Sequence, residues 1–156
     1  MSSEVLDSAA LVLVADRITD PGNLGTMVRS AVAAGVDAVV TTPGTTDAFG
    51  PKAVRSSAGA LFAVPVVEVD LPAVASAGLQ IMATSSQRGV DHRTVAYGSR
   101  IAVVIGNEAH GLDEHALAEL NPVWVRIVHH GPAESLNAAM AATLLVFEAR
   151  RALDGL

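Results

Sequence analysis

The stretch Ile101-Ala102-Val103-Val104-Ile105-Gly106-Asn107-Glu108-Ala109-His110-Gly111-Leu112 opens on five aliphatic residues and changes character at a glycine. Five apolar positions with no polar alternation read as a strand covered on both faces, as the strands of parallel sheets are. Gly106 at its end lets the backbone approach a ligand closely, and Gly111 offers the same freedom further along the turn. Glu108 between them sets a carboxylate beside a buried strand end. That is costly without a partner, and Arg29 or the loop backbone is expected to supply one. The plain alternative is a strand-to-helix loop in which Asp113 caps a helix over residues 113–120.

The same construction occurs twice more. Residues 11–15 lead into Asp20-Pro21-Gly22-Asn23-Leu24-Gly25-Thr26-Met27-Val28-Arg29, and residues 123–128 lead towards Glu134-Ser135-Leu136-Asn137-Ala138-Ala139. Apolar runs at 38–41, 64–69 and 79–83 supply further strands. Between them, Leu24, Val28, Ala31 and Val32 share one face of a helix that Gly35 is placed to end. Pro51 opens a second helix through residue 60, and residues 71–77 make a short third. Leu136, Met140, Leu144 and Phe147 mark one face of a last helix over about 135–151. Alternating strand and helix predicts an α/β sheet with right-handed crossovers, and the three turns then lie at the carboxyl ends of strands, where such sheets bind ligands. Two polar loops, 41–46 and 85–97, do not divide the chain into domains.

At 156 residues one domain is the natural expectation, large enough to bury a real core. Half the chain is hydrophobic (51%) but only 3% is aromatic, so the core must be built from small aliphatic side chains. Cysteine is absent, which removes disulfide and thiolate-metal frameworks and fits a reducing cytoplasm. No apolar run approaches the roughly 20 residues of a membrane span, and the N-terminus lacks a signal-peptide layout. A net charge of −6 argues mildly against nucleic acid, yet Arg17, Arg29, Lys52, Arg55, Arg88 and Arg93 fall in or beside loops and helix starts. They form either a local basic face or pairs with the sixteen acids.

Taken in order, the three turn motifs resemble the signature motifs of the SpoU-type RNA ribose 2′-O-methyltransferases of the SPOUT class, over nearly the whole chain from Leu11 to Arg151. The resemblance implies a mostly parallel Rossmann-like sheet closed by a C-terminal trefoil knot, with residues 1–10 an N-terminal extension and 11–156 the catalytic domain. The chain is then either a minimal member or a piece of a longer protein. It implies S-adenosylmethionine as cofactor, RNA (ribosomal or transfer) as substrate, and a homodimer acting in the cytoplasm. Carried over residue by residue, the catalytic set is Arg29, Asn23, Glu108, Ser135 and Asn137. The cofactor would lie against Thr84, Ser85, Ser86, Gly106, Asn107, Gly111, Ile127, Ser135 and Leu136, and RNA would meet Arg17, Arg29, Lys52 and Arg55. The segment Arg55-Ser56-Ser57-Ala58-Gly59-Ala60 looks like the family's Ser-Ala-Gly stretch near the RNA face.

Each of these positions has a structural alternative. Asn23 and Ser135 are good N-caps, Asn137 suits a first turn, Arg29 suits a solvent-facing helix position, and the segment from Arg55 suits a small-residue helix end. Two other functions stay open: a catalytically idle RNA-binding protein on the same fold, and a small-molecule enzyme on a doubly wound sheet. A metal site is not expected, because His110, His115, His129 and His130 show no helical i, i+4 pair. A serine triad lacks its Gly-x-Ser-x-Gly elbow, and Gly22-Asn23-Leu24-Gly25 has the wrong glycine spacing for a dinucleotide fingerprint.

Overall fold

The computed structural model describes residues 4–156. Its strands are β1 (Leu11–Ala15), β2 (Ala38–Thr41), β3 (Val66–Glu68), β4 (Gln80–Thr84), β5 (Val90–Asp91), β6 (Ile101–Ile105) and β7 (Val123–Arg126). Its helices are α1 (Glu4–Asp7), α2 (Pro21–Ala33), α3 (Pro51–Ser56), α4 (Leu71–Ser76), α5 (Glu114–Ala118) and α6 (Ala138–Leu153), with a 3-10 turn at Ala60–Phe62. The strands form one sheet in the order β3-β2-β1-β6-β4-β7-β5, every pair parallel.

Burial explains why the two central strands are apolar throughout. Every residue of β1 and β6 is buried. Register places Leu13 beside Val39 and Val103, and Val103 beside Met82, so one row of side chains crosses the sheet on a single face. That row joins Met27 and Val28 of α2 and Leu145 and Val146 of α6 in one core. The residues one step along point the other way: Val12, Val14, Val40 and Val104 pack with Leu6 of α1, Val74 of α4 and Leu117 of α5. Helices on both faces leave no room for polar alternation.

Several expected boundaries move, each for a local reason. The run at 64–69 contributes only three strand residues, because Pro65 has no N–H to give and Asp70 already caps α4. The run at 123–128 stops at Arg126, where the last neighbour runs out: His92 N–H bonds the Arg126 carbonyl just past β5. Strand β5 lies inside the loop expected at 85–97, and two residues carry no readable period. The second helix ends at Ser56 rather than residue 60, since Ala58 and Gly59 turn left-handed (φ 50° and 85°). Helix α2 starts at Pro21 with Asp20 as its N-cap, accepting from Gly22 N–H, and Asn23 therefore sits inside the first turn. Gly35 (φ 70°) closes its far end: Gly35 N–H bonds Val32 O and Val36 N–H bonds Ala31 O, the paired bonds of a Schellman end.

The last helix is displaced towards the C-terminus. It begins at Ala138 with Asn137, not Ser135, as the cap. Its buried side carries Ala139, Ala142, Leu145, Val146 and Ala149, while Met140, Leu144 and Phe147 are exposed at 58%, 47% and 46%. Three alanines let α6 approach α2 closely, and Ser30 Oγ and Thr143 Oγ1 meet at 2.6 Å across the seam. Among the described residues no helix is long and apolar enough to cross a membrane.

Candidate active site

A cleft of about 570 Å³, within the usual range for small-molecule sites, opens at the carboxyl ends of β6, β4 and β7. It is lined by Thr84, Ser85, Ser86, Gly106, Asn107, Gly111, Ile127, Ser135 and Leu136, the whole expected cofactor set, together with Asn23, Glu108 and Asn137. Segments far apart in the chain thus converge because parallel strands all end on the same side of the sheet.

The turn after β6 is held from several directions. Asn107 Oδ1 accepts from the N–H groups of Ala109 (2.9 Å) and His110 (3.0 Å), and its carbonyl accepts from Gly111 N–H (2.8 Å). Its amide Nδ2 donates to the Arg17 carbonyl at 2.7 Å. Gly111 sits at φ 66°, the left-handed region where glycine is unstrained. Gly106 lines the cleft and also meets a demand of the turn itself. A Cβ there would lie 2.6 Å from both Gly111 C and Leu112 N, so it is the turn's own backbone that needs the space.

Glu108 finds its partner in the loop backbone and not in Arg29. Its carboxylate accepts from Thr19 N–H and Thr19 Oγ1, both at 3.2 Å, and from Asp20 N–H at 3.1 Å. Burial raises its pKa, but hydrogen bonds from its own N–H, Asp20, Thr19 and the Asn23 side chain outweigh that and leave it below the ordinary carboxylate range. Asn137 closes the chain of contacts. Its Oδ1 caps α6 by accepting from Ala139 and Met140 N–H, while its Nδ2 donates to Asn23 Oδ1 at 3.1 Å. First, second and third motifs are therefore one hydrogen-bonded unit.

Other hydroxyls divide by use. Thr84 Oγ1 donates to Val104 O at 2.9 Å, and Ser85 Oγ receives the N–H groups of Gln87 and Arg88, so both shape the wall. The Ser135 hydroxyl makes no hydrogen bond to any described residue. His129 folds the segment after β7 onto itself, with Nε2 2.7 Å from Ala133 O and Nδ1 3.2 Å from Ile127 O.

The cations scatter. Arg29 lies outside the cleft, exposed on α2, with no hydrogen bond or ion pair to a described residue. Arg55 is likewise exposed and unpaired among the described residues. Lys52 lies 3.9 Å from Asp20. Arg88 sits over the Trp124 ring at 4.6 Å and bonds Glu114 at 2.9 Å, and Arg93 pairs with Asp91, so these two do not offer free charge. Arg17 is engaged as well, through Asp16 and the Gly111 carbonyl (3.0 Å). Lining residues that the sequence reading missed include Gln87, Trp124, His129 and Glu114. The one usable signal was Trp124, the only tryptophan of the chain, standing between two valines in β7.

No lysine or arginine lines the cleft, whereas Glu108 and Glu114 do. Aliphatic Ile105, Leu112, Ile127 and Leu145 stand beside neutral hydrogen-bonding groups. That combination suits a nucleoside carrying a positive charge and does not suit a phosphorylated nucleotide, which needs cations or a glycine-rich helix start.

Residues 10–147 match the family model described as the SpoU rRNA Methylase family. The chain is 42% identical over 154 residues to the 23S rRNA (guanosine(2553)-2′-O)-methyltransferase RlmP of Bacillus subtilis, covering 96% of this chain and 62% of that protein. It is 36% identical over 146 residues to the 23S rRNA (uridine(2479)-2′-O)-methyltransferase of Streptomyces viridochromogenes, covering 87% of this chain and 50% of that one. The crystal structure of an AdoMet-bound rRNA methyltransferase from Sinorhizobium meliloti superposes with a TM-score of 0.85 at 36% identity, over 96% of this chain and 60% of that one. The chain thus spans between half and two thirds of the length of these relatives.

Proposed function

Because the chain belongs to the SpoU rRNA methylase family, we propose that it binds S-adenosylmethionine in the cleft and transfers the methyl group to a ribose 2′-hydroxyl of RNA, ribosomal or transfer. The observation that carries this reading is the cleft itself: three motifs tied by Asn137 to Asn23 and by Glu108 to Thr19 and Asp20, around a cavity free of lysine and arginine. Bound there, S-adenosylmethionine would supply an already electrophilic methyl group on its sulfonium. Gly106, Asn107, Gly111 and Ile127 would hold it, with Thr84, Ser85, Ser86, Ser135 and Leu136 completing the wall. The protein's share of the work is to place and activate the oxygen and to exclude water.

Arg29 is the activating group in this reading. A guanidinium has a pKa above ~12 and accepts no proton readily, so we assign it to clamp an RNA phosphate and stabilise the developing alkoxide, the proton leaving to solvent. Asn23, Glu108 and Asn137 orient the site, and Ser135 offers its free hydroxyl. Lys52 and Arg55 extend the RNA-facing surface, the setting proposed for the small-residue stretch after Arg55. The catalytic domain is residues 11–156 with 1–10 as an extension, and the activity is cytoplasmic. The return from β7, beyond β4, to pack α6 on β6, β1 and α2 supports a trefoil knot closed by residues 127–137.

Homodimerisation belongs to the same proposal. The exposed row Met140, Leu144 and Phe147 is a hydrophobic stripe that a second copy would cover, and Arg29 is exposed on α2, next in sequence to Ser30, which meets Thr143 of α6. A copy seated there would bring one protomer's Arg29 towards the other's substrate. Light scattering at micromolar concentration is expected to report a dimer, and Leu144→Glu a monomer with unchanged circular dichroism. A wild-type monomer would end the dimer proposal.

The deciding experiment titrates S-adenosylmethionine and its demethylated product into the protein by calorimetry, then follows labelled methyl transfer to rRNA and tRNA. Binding should stabilise the fold through linkage by about 2.7 kcal/mol at a hundredfold excess over Kd, and the melting temperature should rise with it. No heat and no melting shift would sink the cofactor assignment. Binding without transfer would leave an RNA-binding protein on this fold.

A further inference from the structure

Arg17 stands in a conformation that a residue with a Cβ avoids. Its φ is 55°, in the left-handed region where glycine or asparagine would be cheaper. Something must therefore recommend the side chain. The preceding Asp16 is 95% buried, and its carboxylate is engaged on both oxygens: Oδ1 accepts from Thr42 Oγ1 at 2.7 Å, and Oδ2 from Arg17 Nε at 3.1 Å. Asp16 is itself pinned to the sheet by its N–H to Ile105 O, and Arg17 N–H donates to Thr42 Oγ1. The left-handed turn aims the Arg17 carbonyl at Asn107 Nδ2 (2.7 Å) and the guanidinium at Gly111 O (3.0 Å).

Both ends of the turn after β6 are thus fastened to one residue. Asn107 is held by the Arg17 backbone, Gly111 by the Arg17 side chain, and the two are bridged to each other by Gly111 N–H to Asn107 O. Asn107 and Gly111 line the cleft, whereas Arg17 does not. A guanidinium presents a fork of donors in fixed geometry, so it can serve a buried carboxylate and a carbonyl at once; a lysine ammonium is a point charge without that fork.

We propose that Arg17 is a positioning residue for the cofactor wall, an Asp16-anchored strut that sets the Gly111 peptide, and not an RNA contact. This rests on the reading of the cleft as an S-adenosylmethionine site, and it replaces the phosphate-binding role that the sequence suggested for Arg17. The strut has a charged anchor that water cannot reach and a target carbonyl at the cleft edge. It therefore contributes both to stability, by pairing the buried Asp16 carboxylate, and to ligand affinity, by fixing the Gly111 peptide; donor affinity is the readout that a purely structural ion pair would not move.

The test compares wild type, Arg17→Gly and Arg17→Lys. Glycine relieves the backbone while deleting the strut, and lysine keeps the charge while losing the fork. Calorimetry with S-adenosylmethionine should show affinity about tenfold weaker in both variants, on the scale of one lost charge-assisted hydrogen bond. Ligand-free Arg17→Gly should melt lower than wild type, because the buried Asp16 Oδ2 loses its donor and relief of the left-handed backbone offsets that only in part, while Arg17→Lys keeps a charge beside Asp16 and should melt closer to wild type. In turnover, KM for the donor should rise with kcat and KM for RNA unchanged. The slope of log RNA affinity against log salt should not change, whereas a lost phosphate contact would reduce it by about 0.7. Wild-type donor affinity in either variant, or a reduced salt slope, overturns the assignment. Failure of wild type to bind S-adenosylmethionine overturns the reading of the cleft and this assignment with it.

Discussion

Arg29→Ala should abolish methyl transfer and leave the protein otherwise intact. Removing one group that stabilises developing charge costs roughly 10²- to 10³-fold in rate, and Arg29 in the proposed role also holds the RNA phosphate. Its guanidinium makes no hydrogen bond or ion pair to a described residue, and it lies on the exposed side of α2. Stability should therefore change by no more than about 0.5 kcal/mol, as for other surface positions. Affinity for S-adenosylmethionine should stay within a few-fold, because Arg29 is absent from the cleft lining. Single-turnover methylation assays, calorimetry and thermal melts on the same preparation separate these effects. A variant that unfolds would make Arg29 a structural residue, and one that still methylates would give the activation step to another group. Arg29→Lys tests the clamp itself: it keeps a charge but not the fork, and partial activity is expected.

Much of the sheet was legible because its central strands are buried on both faces. Leu11–Ala15 and Ile101–Ile105 have no solvent side, so the apolar run and the strand coincide residue for residue. Strand β3 was overread, because Val64 and Val69 are apolar for packing reasons while Pro65 and the Asp70 cap limit the ladder. The start of α2 was legible and missed: Pro at the first helical position points to the residue before it, Asp20, as cap. The orientation of α6 was not legible in the same way. Period alone finds two apolar stripes on that helix and does not say which one faces the sheet. The structure buries the alanine-rich stripe, since small residues allow helices to approach, and leaves the larger stripe exposed.

The site was legible as chemistry and not as wiring. Glycines, asparagines and a glutamate at strand ends announced a ligand site, and all nine expected cofactor residues line the cleft. Who holds whom depends on contacts across most of the chain. Arg17 reaches Gly111 and Thr19 reaches Glu108 across separations of 94 and 89 residues. No local pattern distinguishes an arginine awaiting phosphate from one already bound to a buried aspartate.

Gly106→Val is expected to destroy cofactor binding by moving the wall of the site. A Cβ at Gly106 would sit 2.6 Å from Gly111 C and Leu112 N and 2.9 Å from Leu112 Cγ, inside van der Waals contact with backbone that cannot rotate away. Valine adds two further carbons to that clash. The turn must then swing outward, which strains the contacts of Asn107 with Arg17 and of Glu108 with Thr19 and Asp20. Overpacking of this kind costs about 1–3 kcal/mol, or roughly 2–4 °C of melting temperature per kcal/mol for a domain near this size. The sheet should survive, because Gly106 lies beyond the end of β6. Affinity for S-adenosylmethionine should fall below detection while circular dichroism stays native. Gly111→Ala provides the contrast: open space surrounds its Cβ, and only the left-handed φ of 66° is disfavoured, so a loss of about 1 kcal/mol and retained binding are expected. If Gly106→Val binds the donor as tightly as wild type, the turn after β6 does not bound the cofactor and the cleft must be assigned to another ligand.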